Sequence, residues 1–150
     1  MGTESACRLL SVLMPMRPLI FILSLWLPLM ASSQMGTPIG NDLGRTQFAE
    51  KKLKEAFLGN RAIWNSGQSV VIVLTNTQST SFEKTATWAL NADAFDYQKH
   101  WLSIVFQGRA DAPVFVKDEK EMINYVREHP GAIGILHEEA APDDLVIRVE

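Results

Sequence analysis

The stretch from Val70 to Lys84 reads VVIVLTNTQSTSFEK and decides the fold class of this chain. It opens with a continuous, mostly β-branched apolar run, Val70 to Leu74, which predicts a strand buried on both faces. Thr80-x-x-Glu83 then forms a capping box, which predicts the start of a helix. A strand followed directly by a helix is the unit from which α/β domains are built.

The same alternation of strand and helix continues towards the carboxyl end. Asn91 and Asp93 can cap a further helix, and Val114 to Val116 predicts a short strand. Asp118-x-x-Glu121 is a second capping box, and the run AIGIL at Ala132 to Leu136 predicts another buried strand. The tail DLVIRVE is a candidate for a final strand at an edge.

Upstream of the first strand, residues 46–58 form an amphipathic pattern that ends at Gly59 and predicts a helix. Before it, residues 34–44 read QMGTPIGNDLG, and their glycines and proline predict an irregular N-terminal arm. We therefore predict an α/β domain over residues 45–150, with one sheet of the size of a single lobe flanked by helices.

The first 33 residues have the layout of a secretory signal peptide. An uncharged apolar run of 12 residues, Leu19 to Met30, follows Arg8 and Arg17 and precedes the small residues 31–33. A membrane-spanning helix needs about 20 apolar residues, so this run is short for one. We expect cleavage after Ser33 and export to the periplasm of a Gram-negative host; an uncleaved membrane anchor is the alternative.

Charge and motif content exclude several classes of function. The chain has 14 Lys plus Arg against 17 Asp plus Glu, whereas binding to a phosphate backbone needs a basic surface, so nucleic acid is not expected as a partner. The one cysteine, Cys7, lies in the predicted signal peptide, so the mature chain would have no disulfide. No metal-binding spacing or glycine-flanked nucleophilic serine is present, so we expect no metal, no cofactor and no catalysis.

Three groups of residues together resemble a known family. They are Phe57-Leu58-Gly59 with Ile63-Trp64 and Gly67, then Trp101 with Phe106-x-Gly108 and Pro113, then Tyr125-Val126 with Pro130-Gly131-Ala132-Ile133-Gly134. In this order and spacing they are similar to the phosphate ABC transporter substrate-binding proteins and their short, single-lobe-sized relatives. The resemblance covers residues 57–135 and implies a type II periplasmic binding fold, in which full-length members close two lobes around an oxyanion.

The resemblance implies a ligand site at the turn between the first buried strand and the next helix. The N-terminus of a helix offers unpaired N–H groups and the positive end of its dipole, and the hydroxyls of Ser79, Thr80 and Ser81 add donors. Helix capping by Thr80 and Glu83 is the structural alternative. Open α/β sheets usually bind their ligands at this place, beyond the carboxyl end of a strand.

The chain departs from the family pattern at this turn. Family members commonly place a glycine in the turn and an arginine at the start of the following helix, where this chain has Gln78 and Phe82. Arg109, in the loop from Gly108 to Pro113, is the candidate for a replacement cation, although a solvated surface arginine is the alternative. Losing the arginine removes charge-assisted hydrogen bonds of about 1.5–3 kcal/mol each.

Two functions remain open at this point. The first is an exported, non-catalytic module that binds a small oxyanion or polar solute at Ser79, Thr80, Ser81 and Arg109, in the manner of a transporter's binding protein. The alternative is a ligand-less scaffold or interaction protein that contacts an envelope or transporter protein. The missing arginine and the absence of a second lobe motivate the alternative, because one lobe leaves half of a cleft open to water.

Overall fold

A four-stranded sheet with helices on both faces forms the centre of the fold. The computed structural model describes residues 35–41, 47–60 and 67–150, all within one compact unit, Ser32–Glu150. In chain order the elements are β1 (Thr37–Gly40), β2 (Gln47–Phe48), α1 (Glu50–Phe57), β3 (Val71–Thr75), α2 (Thr80–Leu90), α3 (Ala94–Phe106), β4 (Val114–Val116), α4 (Glu119–Glu128), β5 (Ala132–Leu136) and β6 (Arg148–Val149).

The strands run in the order β1-β5-β3-β4. Strand β3 is parallel to both of its neighbours, whereas β1 is antiparallel to β5, so the sheet is mixed. Strands β2 and β6 pair in parallel as a separate two-stranded sheet. The α/β prediction is confirmed at this level.

Alternate residues of the central strand go to opposite faces of the sheet. Ile72 and Leu74 pack with the apolar residues of α1, α2 and α3, whereas Val73 packs with those of α4. This period of two is the geometry of a strand. It explains why VVIVL carries no polar residue, since helices cover both sides of β3.

The N-terminal arm predicted to be irregular is only partly so. Residues 37–40 form β1, which pairs with β5 from Thr37 opposite Leu136 to Gly40 opposite Ile133. The sequence pattern misses this strand because Ile39 is its one large apolar residue and its partner is almost a hundred residues away. The predicted signal peptide, residues 1–33, lies outside the described residues.

The N-cap of α2 lies one residue before the predicted N-cap, Thr80. The N-cap of α2 is Ser79, whose backbone is extended and whose hydroxyl accepts from the N–H of Phe82, so Thr80 is already helical. The predicted caps Asp93 and Asp118 are confirmed, each accepting a hydrogen bond from the N–H three residues further on.

Across the described ranges, no helix has both the length and the apolar character needed to cross a membrane.

Candidate functional site

The turn between β3 and α2 uses one of its serines as a structural cap. Ser79 Oγ accepts from the Phe82 N–H at 3.1 Å and shares a hydrogen bond of 2.8 Å with Thr75 Oγ1 at the end of β3. Thr80, the next residue, is exposed. The turn therefore places one hydroxyl in the cap and one at the surface.

Ser81 faces inwards and donates to a carboxylate. Its Oγ lies 2.6 Å from Oε1 of Glu119, and both residues are only 5% exposed. Glu119 is the first residue of α4, which follows β4. Because β3 and β4 are parallel, their carboxyl ends share one edge of the sheet, and this brings the starts of α2 and α4 together.

Three backbone N–H groups complete the surroundings of this carboxylate. Oε1 of Glu119 accepts from His137 at 2.7 Å, and Oε2 accepts from Glu138 at 2.9 Å and Glu139 at 2.7 Å. These groups follow β5, the third parallel strand that ends at this edge. We call the Ser81 hydroxyl and the N–H groups of residues 137–139 the Glu119 cradle.

The cradle keeps Glu119 ionised. Burial is the largest single influence and by itself raises the pKa of the carboxyl group. The hydrogen bonds from Ser81 and from the three N–H groups favour the charged form and together outweigh burial, so the pKa lies below its ordinary value of 4.5. The edge of the sheet thus contains a carboxylate held as an anion.

His137 ties the cradle to α2 through Thr85. The Thr85 hydroxyl donates to the Ser81 carbonyl at 2.9 Å, so it accepts from Nε2–H of His137, which lies 3.0 Å away. Burial lowers the pKa of His137 below 6.5, and the charge of Lys84 lowers it further, against the opposing charges of Glu119 and Glu138. The imidazole is therefore neutral at pH 7.

A small cavity of about 240 Å³ lies beside the cradle. It is lined by the turn residues Thr75 and Ser79 to Ser81, by the charged residues 117–120 between the end of β4 and the first turn of α4, and by Glu138 and Glu139 after β5. Its two lysines, Lys117 and Lys120, face four carboxylates, which leaves a formal charge of −2 on the lining. This sign of charge opposes the entry of phosphate or sulfate.

Arg109 is not brought to the predicted site. It lies in the loop that leads into β4, whereas the turn follows β3, and the two strands are parallel. Arg109 instead lines a cavity at the opposite edge of the sheet with Gly59 and His100. Of the four predicted site residues, Ser79, Thr80 and Ser81 lie together and Arg109 lies apart from them.

Glu119 is the residue of this candidate site that sequence reasoning missed. It stands between Asp118 and Glu121, which the capping box explains, and nothing in the local pattern gives it a separate role. The signal that could have found it is positional, since it follows a strand that is parallel to β3. Among the described residues, no group of three or more histidines, cysteines or acids is arranged to hold a metal ion.

Comparison with known proteins gives no match to a family model, to a curated protein or to a solved structure. The resemblance to phosphate-binding proteins therefore stays a prediction from the motif residues. Two of those residues, Ile63 and Trp64, lie outside the described ranges.

Proposed function

We propose that this chain is an exported, non-catalytic interaction module, resembling one lobe of a periplasmic binding protein, which contacts another envelope protein. The observation that carries this proposal is the occupied Glu119 cradle. The hydroxyl of Ser81, which belongs to the predicted oxyanion site, and the neighbouring N–H groups of residues 137–139 are all bonded already to a carboxylate of the chain itself.

An incoming oxyanion would have to displace that carboxylate. The lining, with Glu119 already counted, has a formal charge of −2, and the incoming anion would add to that negative charge. No arginine is present in the lining to compensate. High affinity for phosphate is therefore disfavoured on both hydrogen-bonding and electrostatic grounds.

A surface suited to protein contact lies on α3. Phe95, Leu102 and Phe106 are 69%, 51% and 87% exposed, and their spacing of seven and four residues places them on one side of the helix. We call these three residues the α3 apolar face. Exposed apolar side chains grouped on one side of a helix are typical of interaction sites. Lys99 lies on the same side, with its Nζ 5.6 Å from the centroid of the Phe95 ring.

Photo-crosslinking in the producing cell tests the proposal. A crosslinking residue at position 102 should capture a defined envelope protein from the full chain. The variant Phe95→Ser with Phe106→Ser should lose that adduct, since these changes remove apolar contact area but no core side chain. The matched control, Thr80→Ala with Lys117→Ala, changes the cavity instead and should keep it. If the adduct is lost in the control variant and retained in the α3 variant, the proposal is wrong.

Capture of a small polar solute remains the second candidate. It is favoured by one observation, namely that the cavity retains the exposed Thr80 hydroxyl and the ammonium groups of Lys117 and Lys120. Titration calorimetry with phosphate and sulfate separates the two functions. The interaction proposal expects no heat at millimolar ligand. Heat that disappears in Thr80→Ala with Lys117→Ala would establish solute binding.

A further inference from the structure

The hydrogen bonds around Glu119 are arranged as they are around a bound carboxylate. Each carboxylate oxygen accepts two hydrogen bonds, Oε1 from Ser81 and His137, and Oε2 from Glu138 and Glu139. All four lengths lie between 2.6 and 2.9 Å, the range of charge-assisted bonds. The Glu119 residue is only 5% exposed, so these four donors provide most of the solvation of its carboxylate.

The donors belong to elements other than the helix that carries Glu119. Ser81 is part of α2, and residues 137–139 follow β5. The bond between Thr85 and His137 and the 3.6 Å ion pair between Lys84 and Glu138 join these two segments independently of Glu119. Shortening the Glu119 side chain leaves both of these links between the two segments in place.

We infer that the Glu119 cradle is a preformed binding site for a small carboxylate, and that the Glu119 side chain is its built-in ligand. Acetate is the free ligand that fits best. The substitution Glu119→Ala removes a CH₂–COO⁻ group, which acetate replaces almost atom for atom. A singly charged planar anion also restores the original charge, whereas a phosphate dianion would add to the repulsion from Asp118, Glu138 and Glu139.

Thermal unfolding of the full chain carrying Glu119→Ala tests the inference. At pH 7 the variant should melt below the unsubstituted chain, because four donors lose their acceptor. Sodium acetate should recover at least half of the lost melting temperature, with saturation, relative to sodium chloride at equal ionic strength. If the variant is unfolded without acetate, its folded fraction measured by circular dichroism should rise as acetate is added.

Amide chemical shifts locate the binding. In Glu119→Ala, acetate should move the ¹H–¹⁵N signals of residues 137–139 with one common saturation curve. The isosteric variant Glu119→Gln still fills the cradle, so acetate should leave its melting temperature unchanged.

Glu121→Ala is the matched control on the same helix. Glu121 also accepts a backbone hydrogen bond, from Lys117 at 2.6 Å, but it is exposed, so water replaces it and acetate should have no effect. An absent acetate response in Glu119→Ala, an equal response in Glu121→Ala, or a larger response to phosphate would overturn the inference. None of these outcomes changes the crosslink expected from position 102 on the α3 apolar face, so failure here is distinguishable from failure of the proposed function.

Discussion

At the scale of single residues, Glu119 is a buried carboxylate that is charged, and its half-buried neighbour His137 is an imidazole that is neutral. Glu119 is kept charged because four donors surround it, whereas His137 is kept neutral mainly because burial disfavours the imidazolium. Their charge states are linked, since the Glu119 carboxylate favours protonation of His137. As the pH is lowered, protonation of these two groups should therefore change the stability of the fold in two steps.

We predict that stability falls in both steps as the pH is lowered. The pKa of His137 is lower in the folded chain, so below pH 6.5 the unfolded state binds the proton first and stability declines towards the folded pKa. The pKa of Glu119 is also lower in the folded chain, so its contribution is complete above pH 4.5 and is lost below it. Urea unfolding measured from pH 8 to pH 3 gives this profile.

The variant Glu119→Gln separates the two steps. It abolishes the step below pH 4.5 and, by removing a neighbouring negative charge, lowers the pKa of His137 further. NMR titration of the imidazole measures that pKa directly. A His137 pKa above 6.5 in the unsubstituted chain, or a rise in Glu119→Gln, would show that this electrostatic account is wrong.

At the scale of elements, the sequence predicts the strands and helix caps that are determined by residues close together in the sequence. The runs VVIVL and AIGIL are confirmed as buried strands, because their apolar continuity is itself the result of cover on both faces. The caps Asp93 and Asp118 are confirmed, because capping involves residues three positions apart. The cradle could not be predicted, because Ser81, Glu119 and residues 137–139 come from three separate segments.

Ser79 provides a test of the corrected helix start. We predict that Ser79→Ala lowers the free energy of unfolding by about 1 kcal/mol, because the Phe82 N–H loses its acceptor. Thr80→Ala should change it by less than about 0.5 kcal/mol, because Thr80 is exposed and does not cap. Chemical denaturation measures both. If Thr80→Ala lowers the free energy of unfolding more than Ser79→Ala does, Thr80 is the N-cap, as the capping box predicted.

Gly134 shows how closely α4 packs on the sheet. A Cβ at this position in β5 would overlap the Sδ and Cγ atoms of Met122, a buried residue of α4. We predict that Gly134→Ala destabilises the fold by about 1–3 kcal/mol through overpacking. Because Met122→Ala opens that space, the double variant should be more stable than the sum of the two single effects implies. Additive effects would contradict the contact.

At the scale of the whole molecule, the N-terminal and C-terminal segments are joined through β1. One side of β1 pairs with β5, and its other side meets the segment before β6. Gly40 donates to the Leu145 carbonyl at 2.8 Å, and Ile147 donates to the Pro38 carbonyl at 3.0 Å. A segment whose composition predicts an irregular arm is therefore part of the sheet, because distant pairing decides its structure.

Ile39 decides between these two descriptions of the arm. Its side chain is fully buried with Val73, Met122 and Val126, so Ile39→Ala should lower the free energy of unfolding by about 2–5 kcal/mol through lost burial and the cavity left behind. Thr37→Ala, at an exposed position of the same strand, should cost less than about 0.5 kcal/mol. Urea denaturation of the two variants measures the difference. If both variants have the same small effect, residues 37–40 contribute nothing to the core and the irregular arm is the better description. A large effect of Ile39→Ala alone means that β1 is a part of the core on which the stability of the domain depends.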